Sequence, residues 1–84
     1  MKVNVKKKGN SQRKILLIHT EFIKLESALK LANIVESGGL AKNIIQDGLV
    51  CVNGEVCLMR GKKLYEKDTF SLEGVTYEII KDET

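Results

Sequence analysis

The residue types of this sequence that could do chemistry at a binding surface are cations, and most of them fall into two segments. Residues 1–14 hold six lysines and arginines and no acid, and residues 60–67 hold four cations and one acid. The other residues are acidic in sum, and the net charge of the whole chain is +3. Two basic segments on such a body favour a polyanionic partner that the protein meets on one side.

The second basic segment is the more informative of the two. A lysine-rich start is typical both of a solubilising tail and of a binding arm. The second segment lies between predicted strands, in a loop that the folded chain must position. There Gly61 permits close approach of a partner, and the planar guanidinium of Arg60 matches phosphate oxygens better than an ammonium does. Arg60, Lys62 and Lys63 are therefore candidate anion-binding residues.

Residue types that serve catalysis or metal binding are scarce. His19 is the only histidine in the sequence, and neither a nucleophile nor a ligand cluster accompanies it. Cys51 and Cys57 are too few for a disulfide framework, and a zinc site would need two further ligands, so we expect free thiols in a reduced, cytoplasmic protein. A chain of 84 residues is too short for most folds that carry a cofactor. We expect no enzyme activity, no cofactor, no metal and no small-molecule substrate.

Hydrophobic periodicity predicts one strand followed by two helices. Residues 14–19 indicate a strand, and their apolar run is far shorter than the roughly 20 residues of a membrane span, so no membrane partner is expected. From Leu25 apolar residues recur at helical spacing. A second helix begins after Ser37, a good N-cap, buries Leu40 among its apolar stripe, and ends at Gly48.

Two turn signals predict antiparallel hairpins in the second half of the chain. Asn53-Gly54 joins strands at residues 49–52 and 55–58 and places Cys51 opposite Val56. Glu73-Gly74 joins strands at residues 69–72 and 75–80 in the same way. Two helices followed by an antiparallel sheet predict the α+β class.

The two predicted helices carry a second group of candidates. Lys24 and Lys42 stand at corresponding points of the helices, so packing could bring them to one surface, although both are also typical of a solvated face. Asn43 lies on the same outward side as Lys42. Ser37-Gly38-Gly39 leaves the first N–H groups of the second helix uncovered, which suits a phosphate at the positive end of the helix dipole. The same glycines are equally compatible with a purely structural role, in which two helices meet at a tight corner.

The order of these motifs resembles the S4 RNA-binding domain, and especially a bacterial subgroup of small stand-alone proteins. Lys24-Leu25-Glu26 stands where the family opens its first helix with Arg-Leu-Asp. Ser37 and Ala41-Lys42 match a Ser-Arg and an Ala-Arg of the second helix. Residues 48–54 match Gly-x-Val-x-Val-Asn-Gly, and Lys67-Asp68 matches a late Gly-Asp turn.

The resemblance covers residues 24–73, and two departures from the family pattern matter. Gly38 replaces the arginine after the serine, which removes one expected phosphate contact. Lys67 replaces the turn glycine, so that turn either changes type or holds a strained residue.

The resemblance implies an α+β, S4-like fold (the alpha-L motif), with two short helices packed on a small antiparallel β-sheet. We expect a basic N-terminal arm at residues 1–13 and a single S4-like RNA-binding domain at residues 14–84. The family implies a non-enzymatic protein that binds structured RNA, ribosomal RNA above all, mainly through its phosphate backbone, and we expect a monomer. The RNA-binding residues that we assign are Lys24, Ser37, Gly38, Gly39, Lys42, Asn43, Arg60, Lys62 and Lys63.

A protein-interaction adaptor, whose basic patch meets an acidic protein surface, is the alternative function. The missing arginine at Gly38 favours it. Base recognition needs exposed aromatic rings, and Phe22, Phe70 and Tyr77 lie in apolar contexts that favour the core. Tyr65, beside the basic loop, is compatible with either stacking on a base or packing.

Overall fold

A computed structural model of the chain describes residues 12–82. The helices within this range are α1 (Leu25–Leu31) and α2 (Gly38–Gln46). Most of the predicted basic arm, residues 1–11, lies outside the described residues, and the first strand begins at Gln12, so that it includes Arg13. The strands are β1 (Gln12–Ile18), β2 (Ile23–Lys24), β3 (Cys51–Val52), β4 (Glu55–Val56), β5 (Lys63–Leu64), β6 (Thr69–Leu72) and β7 (Val75–Lys81).

The larger sheet in this range has the strand order β1-β7-β6-β3-β4. Its pairs β7–β6, β6–β3 and β3–β4 are antiparallel. Strand β1 instead runs parallel to β7, from Gln12 opposite Val75 to Ile18 opposite Lys81. A parallel pair needs a long crossover, and the helices with the strands that follow them supply it. The predicted α+β class is confirmed, with a sheet that is mixed because of β1.

A second, two-stranded ribbon pairs β2 with β5. Ile23 lies opposite Leu64 and Lys24 lies opposite Lys63. Leu64 is fully buried and Ile23 packs against the core, so the ribbon is held to the body through this pair. The sequence did not predict this ribbon, because each of its strands has only two residues and the two are far apart in the chain.

Both predicted hairpin turns are confirmed. Asn53-Gly54 has φ values of 50° and 88°, and Glu73-Gly74 has 50° and 82°; two consecutive positive values are what a type I′ turn requires. The first turn places Cys51 opposite Val56, as predicted. Its returning strand ends at Val56 rather than at residue 58, since the chain then leaves the sheet towards the start of α1.

The core lies between the two helices and the strands. Phe70 is fully buried and stacks on Tyr77, with ring centroids 4.9 Å apart and planes inclined by 9°. Helix α2 contributes Ala41 and Ile45, which are one turn apart. Leu40 was predicted to be buried but is 48% exposed, because it lies about 100° around the helix from Ala41. The buried apolar residues are Leu16, Ile18, Leu25, Ala28, Leu29, Ala41, Ile45, Val50, Val52, Leu64, Phe70 and Ile79.

The turn before β6 keeps the left-handed backbone conformation that suits the glycine of the family pattern, although Lys67 stands at this position. Lys67 has a φ of 76°, so the turn holds a residue in the left-handed region rather than changing type. Its N–H donates to the Ile79 carbonyl over 2.7 Å, which anchors this conformation. A residue with a Cβ atom costs about 1 kcal/mol or more in this region.

We therefore expect Lys67→Gly to raise the free energy of unfolding. The gain is about 0.5–1 kcal/mol, since relief of the strain exceeds the extra entropy that glycine has in the unfolded chain. Denaturant unfolding followed by circular dichroism measures it. Lys67→Ala is the matched control, because it removes the same side chain but keeps the Cβ atom, and it should give no gain. An equal gain in both variants would trace the effect to the lysine side chain and contradict the backbone explanation.

Candidate nucleic-acid interface

The basic loop is fastened to the start of α1 by its own main chain. Helix α1 has no side-chain cap. Instead the N–H of Leu25 donates to the Lys62 carbonyl over 2.8 Å, and the N–H of Glu26 donates to the Arg60 carbonyl over 3.1 Å. The loop thereby satisfies two of the donors that a helix start leaves free, while the side chains of Arg60, Lys62 and Lys63 stay exposed.

This connection and the β2–β5 ribbon bring four of the candidate residues together. Lys24 immediately precedes α1 and lies directly opposite Lys63. Arg60 and Lys62 provide the two carbonyls that cap the helix. Because the same main-chain frame carries all four, their positive charges are concentrated in one region. We call these four residues, Lys24, Arg60, Lys62 and Lys63, the cationic face.

The charges of the cationic face are not neutralised within the described part of the chain. None of its four residues takes part in a salt bridge within residues 12–82. Two cations elsewhere in this range do pair: Arg13 lies 3.6 Å from Glu78, and Lys81 lies 3.1 Å from Glu21. Like charges directly opposite each other across a pair of strands are destabilising, so the Lys24–Lys63 pair makes this surface suited to an anion.

The remaining candidates lie on α2. Ser37 caps this helix as predicted, and its hydroxyl accepts the Leu40 N–H over 3.2 Å. The N–H groups of Gly38 and Gly39 have no acceptor among residues 12–82. Lys42 and Asn43 are exposed on the same helix. The group therefore offers two main-chain donors and one cation.

The two glycines are not needed for packing. A Cβ atom added to Gly38 would meet no atom within 4 Å, and one added to Gly39 would meet only the Ser37 hydroxyl at 3.8 Å. Neither glycine has a positive φ. A tight corner between helices therefore does not account for Gly38-Gly39, whereas access to the helix start remains a physical reason for small residues there.

Helix α1 packs on α2, which puts the two groups on neighbouring helices. The cationic face is joined by hydrogen bonds and strand pairing; no such bond joins it to the α2 group within the described residues. A single surface that contains both groups remains a prediction.

An aromatic pair lies beside the cationic face. The rings of Phe22 and Tyr65 are 5.7 Å apart and tilted by 51°, and the Lys63 ammonium lies 4.8 Å from the centre of the Phe22 ring. Phe22 was expected in the core but is only half-buried. The signal that could have found it is the alternation of side-chain direction along an extended chain, because Ile23 and Leu64, which pack with the core, leave their chain neighbours facing outwards.

Two motif positions of the family pattern meet in one hydrogen-bond network. The Asn53 amide donates to Asp68 Oδ1 over 3.3 Å, and its oxygen accepts the Thr69 N–H over 3.0 Å. Asp68 Oδ2 accepts the Tyr65 N–H over 2.8 Å. The network joins the β3–β4 hairpin to the turn that carries Tyr65.

The described residues offer little support for chemistry based on cysteine, histidine or a bound metal. Cys51 and Cys57 are free thiols, as predicted, and His19 lies at the surface with its Nδ1 atom 3.6 Å from Asp82. Within residues 12–82 no group of three or more His, Cys, Asp and Glu side chains could hold a metal ion. No helix in this range is long and apolar enough to cross a membrane.

Comparison with known proteins agrees with this geometry. A family model described as S4 domain matches residues 16–80, which extends the resemblance into β1 and through most of β7. A curated protein of Bacillus subtilis (strain 168), named "Probable ribosome maturation protein RlbA", is 46% identical over 57 residues. That alignment covers 68% of this chain and 80% of the relative.

Proposed function

This chain belongs to the S4 domain family, and from that premise we propose that it is a non-enzymatic protein that binds structured RNA through the phosphate backbone. The observation that carries the proposal is the cationic face, a group of exposed and unpaired charges on a frame of main-chain hydrogen bonds. Ribosomal RNA is the proposed ligand class, supported by the name of the relative as a ribosome maturation protein. A cytoplasmic location and a monomeric state belong to the same proposal.

The cationic face suits phosphates because main-chain bonds fix the backbone that carries its charges before RNA arrives. Arg60 presents a planar fork of donors that can contact two phosphate oxygens at once. Lys24 and Lys63 repel each other across the ribbon, and a phosphate between them removes that repulsion. Because the loop backbone is fixed by its bonds to α1, ordering it on binding costs little conformational entropy.

Helix α2 extends the proposed interface. The N–H groups of Gly38 and Gly39 lie at the positive end of the helix dipole, where a phosphate oxygen can accept from them. Lys42 adds a cation one turn further along, and Asn43 adds an amide beside it. Ser37 contributes by holding the helix start through its bond to Leu40. These contacts recognise the shape of the phosphate backbone and do not distinguish one base from another.

The direct test is a salt series with a labelled, structured fragment of ribosomal RNA. With about four to six phosphate contacts, the logarithm of the binding constant should fall against the logarithm of salt concentration with a slope of about −3 to −5. Protein purified at low salt should also carry nucleic acid, which is visible as a raised ratio of absorbance at 260 nm to that at 280 nm.

Two outcomes would overturn the proposal or its site. If the protein does not bind the RNA even at low salt, an adaptor for an acidic protein surface becomes the better function. If binding disappears when residues 1–11 are deleted, and survives loss of the cationic face, the basic N-terminal segment is the binder. The deletion stops before Gln12, because the Gln12 N–H donates to the Gly74 carbonyl and anchors β1.

A further inference from the structure

We propose that the outer face of the β2–β5 ribbon binds one unpaired nucleobase, stacked on Tyr65, with Lys24 and Lys63 on the phosphates that flank it. The inference rests on the proposed function and adds to it the kind of RNA element recognised. A base within a helix has both faces covered by its neighbours, so only a base from a bulge, loop or end offers a free face. The ligand class is therefore structured RNA with an extruded nucleotide at this contact.

The first argument is the alternation of side chains along the ribbon. Ile23 and Leu64 form its inward pair and pack on the core. Successive side chains of an extended chain point to opposite sides. The inward pair therefore leaves four residues on the outer side, two aromatic and two basic: Phe22, Lys24, Lys63 and Tyr65.

The second argument is that Tyr65 is exposed and yet firmly positioned. It is 46% exposed, although both its N–H and its carbonyl are bonded to Asp68 across a tight turn. Its N–H donates to Asp68 Oδ2 over 2.8 Å, and its carbonyl accepts the Asp68 N–H over 2.9 Å. The Phe22 ring supports it from one side at 5.7 Å. A ring so fixed loses little freedom when a base stacks on its open part.

The third argument is the charge beside the ring. The Lys63 ammonium lies 4.8 Å from the centre of the Phe22 ring, a cation–π contact that holds it next to the aromatic pair. Lys24 is directly opposite on the neighbouring strand. Every base is attached to a sugar with a phosphate on each side, so a base on Tyr65 brings two phosphates towards two ammonium groups. Stacking platforms beside basic residues are how proteins hold unpaired bases.

The test uses two RNA hairpins that are identical except for a single bulged 2-aminopurine in one of them. We expect the wild-type protein to bind the bulged hairpin at least about fivefold more tightly, which is the low end for stacking of a base on an aromatic side chain. Stacking should also quench the fluorescence of the 2-aminopurine. Tyr65→Leu should abolish both effects and leave the affinity for the paired hairpin and its salt slope unchanged. Tyr65→Phe should keep both.

Two further variants keep the test decisive. Leu31→Ala removes a similarly exposed apolar side chain, 52% accessible, from the end of α1, and it should not change the preference. Tyr65→Trp retains a stacking surface if the leucine variant fails to fold. The chain has no other tryptophan, so binding of the bulged hairpin alone should quench the new fluorescence.

The results that would overturn base stacking on Tyr65 differ from those that would overturn the proposed RNA-binding function. Equal, salt-dependent binding of both hairpins by the wild-type protein would overturn base stacking and leave the phosphate interface in place. A preference that persists in Tyr65→Leu, or that Leu31→Ala also removes, would overturn it as well. Binding of neither hairpin at low salt would overturn the proposed function and this inference with it.

Discussion

Replacing Arg60, Lys62 and Lys63 together by glutamine should lower the affinity for structured RNA by about two to three orders of magnitude near 0.1 M salt. Each lost phosphate contact forfeits the release of nearly one counterion, which corresponds to about tenfold in affinity at that salt concentration. The slope of the salt series should become shallower by about two to three units. Binding of the labelled ribosomal RNA fragment by fluorescence anisotropy measures both quantities.

The fold should survive this substitution. The main-chain carbonyls of Arg60 and Lys62, and not their side chains, cap α1. Loss of the Lys63 charge removes both the repulsion with Lys24 across the ribbon and the cation–π contact with Phe22, and these two effects oppose each other. The thermal midpoint should therefore change little, so weaker RNA binding cannot be ascribed to unfolding.

A matched variant separates the position of the charges from their number. Lys14, Lys30 and Lys67 are exposed and lie on β1, at the end of α1 and in the turn before β6. Their joint replacement by glutamine changes the net charge by the same amount. We expect it to reduce affinity by less than about tenfold, since these three lysines contribute to RNA binding only by long-range, screened attraction. Equal losses in the two variants would show that net charge alone binds the RNA.

Lys42→Gln decides whether α2 shares the interface. If Lys42 contacts a phosphate, the substitution should lower affinity by about tenfold near 0.1 M salt and flatten the salt slope by about one unit. The exposed neighbour Gln46 gives a control, Gln46→Ala, that leaves charge unchanged and should have no effect. An unchanged slope for Lys42→Gln would confine the interface to the cationic face.

The second large effect should come from Asp68, through stability. Asp68→Ala should lower the free energy of unfolding by about 2 kcal/mol, because the carboxylate accepts both the Tyr65 N–H and the Asn53 amide, and bonds to a charged acceptor contribute about 1.5–3 kcal/mol. Denaturant unfolding measures the loss. Glu66→Ala is the control, since this exposed acid has no hydrogen-bond or ion-pair partner within residues 12–82.

A double-mutant cycle tests whether Asn53 and Asp68 act as one network. Asn53→Gly removes the amide but keeps a residue suited to the φ of 50°. Combined with Asp68→Ala, it should show a coupling of about 0.5–1 kcal/mol, as expected for residues in one hydrogen-bond network. Additive losses would mean that the two residues stabilise the fold independently.

Much of the fold could be predicted from the sequence where short-range physics decides it. Ser37 starts α2 because its hydroxyl can reach an N–H three residues on. Asn53-Gly54 closes its hairpin in the register predicted, because a two-residue turn fixes which residues face each other. The resemblance to the S4 domain drew on the same local signals in their order along the chain.

The candidate site could be predicted only as a set of residues. The types and positions of Arg60, Lys62 and Lys63 indicate phosphate binding from one loop, but the sequence does not show which contacts bring Lys24 to that loop. The parallel β1–β7 pair and the exposed place of Leu40 were missed for a similar reason. Each depends on how elements pack, and periodicity within one element carries no such information.

The sequence by itself therefore determined the two helices, the longer strands, the Ser37 cap, the type I′ turns and the chemistry available for binding. Each of these depends on side-chain shape, backbone preference and hydrogen bonds that reach only a few residues along the chain. Only the tertiary structure decided that the loop at Arg60 caps α1, that Lys24 faces Lys63, and that Tyr65 stands exposed beside them. These contacts join residues 34 to 43 positions apart, and they form because burial of Ile23 and Leu64 brings the two segments together.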